Sequence, residues 1–168
     1  MKIGWLLFLL LILTNPMQNA SLNEIRTLYA MAPNNRIASE KLSTLCLSID
    51  SIASPVLVCY KGASTMIEAK YQINPLNKLA KFNEGKLLIE KAFKREPNNI
   101  EIRFIRFSIQ TNIPTFLGYH SDIEEDKKNL INNMSLIADT LLKTNINNCL
   151  SKSKYCTIEE LKKLKDSD

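Results

Sequence analysis

Arg103, Arg106 and Gln110 are spaced by three and four residues, which places them on one line of an α-helix. A guanidinium is planar, always charged and forked, so two of them beside an amide can grip a carboxylate or a phosphate bidentately. The same residues have a quieter use. An arginine withdrawn from water almost always has an internal partner, and Glu101, Glu124 and Glu125 are within reach, as are the carbonyls of a helix end. Phe116 and Tyr119 flank Gly118 just beyond that helix, and such a loop serves either as an adaptable binding edge or as a plug for the end of a core. Arg103, Arg106, Gln110, Phe116 and Tyr119 are therefore the candidate ligand or partner residues.

Reactive chemistry has less support. His120 is the sole histidine, and no serine or cysteine nucleophile is placed to use it, so a catalytic triad is not expected. Asp122, Glu124, Glu125 and Asp126 sit together where a helix should begin, a position that the helix dipole favours for carboxylates. They lack the loop spacing of a calcium hand. Cys46, Cys59, Cys149 and Cys156 form no C-x-x-C pair, which argues against zinc. Cys46 and Cys59 have apolar neighbours and read as buried thiols, whereas Cys149 and Cys156 flank a polar turn that they could close. The expectation is a non-enzymatic protein with no cofactor and no metal.

Residues 1–20 have the build of a secretory leader: Lys2, an apolar run over 3–13, Pro16, and a polar stretch ending at Ala20. The run is shorter than the roughly 20 residues of a spanning helix, and no transmembrane span is expected once the leader is removed. Losing Lys2 leaves a net charge of about +4, mild for a nucleic-acid binder, and none is expected as partner. Residues 21–168 then form a single α-helical domain, with a polar extension from about 145.

The elements that would carry these residues are all helical. Ser21 and Glu24 make a capping box for a first helix ended by Pro33, and a second spans 37–49. Pro55 opens a third, and Asn74-Pro75 opens a fourth that reaches about 96, with Asn83 a possible break. After Pro97-Asn98-Asn99 comes a fifth over 100–112, apolar on two sides and so sandwiched between neighbours. Asp122 and Glu125 should cap a sixth, whose apolar line is Leu130, Met134, Ile137 and Leu141. Residues 145–155 read as loose, and Thr157 with Glu160 caps a last short helix.

Antiparallel pairs joined by Pro and Asn corners suggest a right-handed, tetratricopeptide-like helical repeat, with a non-repeating helix bundle as the alternative. Gly85, Ile89, Ala92 and Pro97 supply the small, large, small, proline spacing that lets two helices pack closely.

Several clusters carry a family resemblance: Tyr60-Lys61-Gly62-Ala63, Phe82 with Gly85-Lys86, Pro97-Asn98-Asn99 with Arg103-Phe104 and Arg106, Gln110-Thr111-Asn112 with Pro114, and Phe116-Leu117-Gly118-Tyr119. With these, and with Glu124 to Lys127 and Thr157 to Glu160, the chain resembles an uncharacterised family of exported helical proteins from Gram-negative bacteria. The resemblance implies a helical fold and export, and no activity. The expected role is an interaction or assembly module in the periplasm or cell envelope, with another envelope protein as partner. The alternative is a binding protein for an anionic small molecule or lipid head group.

Overall fold

The computed structural model describes the backbone of residues 16–165 and the side chains of residues 22–164. The apolar run of the expected leader lies outside the described residues. Among the described residues there are eight α-helices: α1 Pro16–Met31, α2 Arg36–Leu47, α3 Pro55–Tyr71, α4 Pro75–Arg95, α5 Ile100–Asn112, α6 Ile123–Asn132, α7 Thr140–Lys152 and α8 Ile158–Lys165. No strand is present among the described residues, so the all-α expectation holds.

Local chemistry explains most boundaries. Asn35 caps α2 by accepting from the Ala38 N–H at 3.0 Å, and Asn74 caps α4 by accepting from Leu76 at 2.8 Å. Pro55 and Pro75 each occupy a first turn, where a missing N–H costs nothing. The box around α8 is reciprocal: the Thr157 N–H donates to Glu160 at 2.8 Å, and the Glu160 N–H donates to the Thr157 hydroxyl at 3.2 Å.

Four expectations are revised. Helix α1 is already running at Pro16 rather than starting at Ser21, because neither a glycine nor a second proline interrupts that stretch. Asn83 does not break α4, since it faces solvent on a helix whose other side is buried. The sixth helix stops at Asn132, followed by a short 3-10 turn, Met134–Leu136. The segment 145–155, which reads as loose in the sequence, is helical as far as Lys152, within α7. Asp139 caps that helix by accepting from Leu142 at 2.8 Å, and Leu142, Ile146 and Leu150, one turn apart, are buried.

The tightest helix pair is α3 with α4, and glycine makes it possible. A Cβ on Gly62 would stand 2.7 Å from the Gly85 carbonyl oxygen, and one on Gly85 would collide with Met66 and the Gly62 carbonyl. Gly85 thus brings α4 against the preceding helix α3. Around this contact the core gathers Tyr60 and Ile67 of α3, Ile89 of α4, and Ile102, Phe104 and Phe107 of α5. Tyr29 of α1 packs edge-on to Tyr60 at 5.3 Å and to Phe104 at 6.0 Å. Cys46 and Cys59 lie in the same core, and all four cysteines are free thiols.

Candidate functional site: arginines buried at the centre of the fold

Helix α5 is the axis of the site. Its first turn is fixed by Asn99, whose side-chain oxygen accepts from the N–H groups of Glu101 at 3.0 Å and Ile102 at 3.2 Å. Nearly every side chain from Glu101 to Gln110 is buried, as a helix with apolar rows on two sides requires. The polar residues on that helix are enclosed with the apolar ones, so each must find a partner.

Arg103 and Arg106 find theirs on α6. Arg106 is 1% exposed and holds Asp126 bidentately, donating from Nε to Oδ2 at 2.7 Å and from Nη2 to Oδ1 at 2.8 Å. Its flat face lies 3.6 Å from the centroid of the Phe93 ring, and its Nη1 is 3.6 Å from Asp122 and 3.8 Å from Glu90. Arg103, 6% exposed, donates from Nη1 to the same Asp126 at 2.8 Å, to Glu125 at 2.9 Å, and from Nε to the Pro97 carbonyl at 2.8 Å. Burial weakens the charged form of Arg106, but the bonds to Asp126 outweigh it and hold the guanidinium above its usual range. Burial pushes the Asp126 carboxyl up, and the two guanidiniums beside it oppose that shift.

Gln110 completes the row. It donates from Nε2 to Asp122 at 2.9 Å and accepts from the Asp122 N–H at 3.3 Å. Asp122 was expected to cap α6 with its side chain, yet it makes no such bond. Its carboxylate is taken by Gln110 and by the Ser121 hydroxyl at 2.8 Å.

The loop after α5 is split in character. Tyr119 is buried; it donates to Glu90 at 2.5 Å, packs edge-on to Phe82, and carries the Lys86 ammonium 4.9 Å from its ring centroid. Phe116, on the short 3-10 turn Thr115–Leu117, points away and is exposed. Gly118 makes the turn between them with φ 62°, a left-handed conformation that suits glycine. The His120 ring nitrogen Nε2 lies 3.3 Å from the Ile113 carbonyl.

A second buried network was not foreseen. Arg26 of α1 grips Glu101 with Nε at 2.7 Å and Nη2 at 2.6 Å, while its Nη1 donates to Asp139 at 2.7 Å and to Asn23 at 2.9 Å. The Tyr60 hydroxyl donates to Glu101 at 2.8 Å. Glu101 therefore serves Arg26, not Arg103 or Arg106. The signal was present: Arg26 lies beside Leu22, Ile25 and Tyr29 on one face, and Asp126 lies with Ile123 and Leu130 on another, each a charge on an apolar stripe.

The five candidate residues are thus brought together only in part. Arg103, Arg106, Gln110 and Tyr119 share one internal cluster, and Phe116 stands outside it. Among the described residues no group of three or more histidines, cysteines or carboxylates could hold a metal ion, and only the Ser64 hydroxyl is buried without a partner. Two hollows, of about 320 Å³ beside Ile25, Ile49 and Ile52 and about 400 Å³ beside Ile137, Lys143 and Asn147, lie away from this cluster. No helix among the described residues is long and apolar enough to cross a membrane. No family model, curated protein or solved structure matches the chain.

Proposed function

We propose that the protein is a non-enzymatic interaction or assembly module of the cell envelope, exported by its leader and built on a tetratricopeptide-like frame. The observation that carries this reading is where the polar chemistry goes. Two arginine-carboxylate networks are consumed inside the helix array, while apolar side chains such as Leu87, Ile73 and Phe116 stand exposed on its surface. A frame that spends its charges internally and presents apolar side chains outside suits contact, not turnover. Export rests on the pattern of residues 1–20 and on the family resemblance, which also supports an envelope partner.

The alternative, an anion site at Arg103 and Arg106, needs guanidinium groups open to solvent. Both are withdrawn from it and bound to Asp126, which leaves that reading without support. The test is affinity capture from envelope extracts with the wild-type chain and a Leu87→Glu variant. A specific protein retained by the first and lost by the second is expected, and identical retention profiles with no enriched species would overturn the proposal. Fractionation of cells expressing the chain with and without residues 1–20 checks export separately.

A further inference from the structure

Three corners of the array meet at one end. Helices α1 and α2 turn at Ala32–Asn34, α3 and α4 turn at residues 72–74, and α5 and α6 turn at residues 113–122. Side chains join the first two: Tyr71 donates to the Ala32 carbonyl at 3.0 Å and Lys70 to the Pro33 carbonyl at 2.5 Å, whereas Tyr119 of the third packs further along α4, against Phe82 and Lys86. Met31, Ile37, Ile73, Leu76, Leu79 and Phe116 are all exposed there. We propose that this end of the molecule docks on an anionic lipid surface, with the α3 to α4 corner and Phe116 entering the interface.

Shape argues for a fluid occupant. Ile73 is 97% exposed, Phe116 84% and Leu76 76%. Side chains so uncovered stand on convex tips, since the walls of a groove would shade them. A protein partner would need a separate socket for each tip, whereas the head-group region of a bilayer deforms around all of them. Leu76 and Leu79 lie one turn apart on α4, directly after the corner, so the apolar surface continues down the helix.

Charge selects the lipid. Lys70 and Lys78 are exposed beside the corner, and α7, held to α1 by the Asn145 bond to the Arg26 carbonyl, runs towards the same end and exposes Lys152 and Lys154. The acids Glu40 and Glu68 near that end are already in ion pairs with Arg36 and Lys81. Glu84 and Glu159 are exposed and oppose the lysines, so the balance is positive but modest. Such a surface favours anionic head groups and repels a second copy of itself.

The test uses the full chain with Trp5→Phe and Leu76→Trp, which makes position 76 the sole tryptophan and a local probe. Vesicles of phosphatidylcholine with about 30 mol % phosphatidylglycerol provide the anionic surface, and pure phosphatidylcholine the control. The expected result is a blue shift of the indole emission from position 76, quenching by brominated lipid, and weakening of both by salt and in the neutral control. Because the probe reports its own surroundings, attachment through the apolar run near the N-terminus does not mimic this result. Ile73→Asp with Leu76→Asp should lower partition on the order of tenfold or more with the helical circular dichroism unchanged. Absence of blue shift and quenching with anionic vesicles would overturn the proposal, as would equal insertion into neutral ones. A shift that instead follows protein concentration without lipid would assign the face to a second copy.

Discussion

Gly62 on α3 and Gly85 on α4 meet backbone to backbone, and neither position has room for a single added carbon. Helix propensity alone would favour alanine over glycine by about 1 kcal/mol at each site. Here the obstacle is a carbonyl oxygen, which cannot swing aside as a flexible side chain can. Gly62→Ala and Gly85→Ala should each destabilise the fold by about 1–3 kcal/mol despite the propensity gain, read as a lowered urea midpoint. At Gly118 a Cβ would meet nothing within 4 Å, so Gly118→Ala should cost only the left-handed backbone strain, about 1 kcal/mol.

Asp126 and Glu125 both bind Arg103, but only Asp126 is fully enclosed. Asp126→Ala leaves two guanidiniums buried without their shared carboxylate and should cost about 3–5 kcal/mol in equilibrium unfolding. Glu125→Ala leaves Arg103 its bonds to Asp126 and the Pro97 carbonyl, and removes a carboxylate that is 66% exposed. Its effect should stay below about 1 kcal/mol. Equal losses in the two variants would show that Asp126 is not the hub.

The pair Arg26 and Glu101 should show strong coupling. Arg26→Met strands Glu101 with Tyr60 as its remaining side-chain partner, and Glu101→Gln removes the charge that Arg26 faces. Arg26→Met leaves Glu101 buried without its cation and Glu101→Gln leaves Arg26 with Asp139 as its remaining carboxylate, while the double change leaves no ion in this pair. The double variant should therefore be more stable than the sum of the singles implies, by about 1–3 kcal/mol in a double-mutant cycle.

Alkaline solution should unfold the protein early. Burial pushes the Cys46 thiol up to about 12, and it also raises Cys59, Tyr29 and Tyr60 above their ordinary values. An unfolded thiol ionises at about 8.5, so between that pH and about 12 the folded chain keeps a proton that the unfolded chain releases. The contribution is fully present below the lower value and is lost as pH rises towards the upper one. The urea midpoint should hold near neutrality and fall steeply above about pH 9, by up to about 1.4 kcal/mol per pH unit for each such group. Cys46→Ala should make the decline shallower.

Helix α5, the Asn caps and the Thr157 to Glu160 box were legible because each depends on a few adjacent residues. That Arg103, Arg106 and Gln110 share a line was legible for the same reason. Their partners were not: Asp126 is 20 residues from Arg106, and Glu101 is 75 from Arg26. Sequence spacing fixes which residues share a face, but which faces meet depends on how helices turn at their corners. The Gly85 contact shows the limit well, since its small size announced close packing without saying whether α3 or α5 was the neighbour. Helix α7 was missed because Asn145, Asn147, Asn148 and Lys152 obscured the buried line of Leu142, Ile146 and Leu150.

Arg26 reaches 75 residues ahead to Glu101 and 113 ahead to Asp139, which in turn starts α7. Helix α1 therefore cannot complete its polar contacts until α7 is in place. Contacts so distant along the chain make closure a late event in folding. Any process that feeds the chain forward from its N-terminus, whether synthesis or passage through a narrow channel, handles a polymer whose clasp is still missing. The Arg26 to Asp139 link thus closes only when segments 113 residues apart are both present.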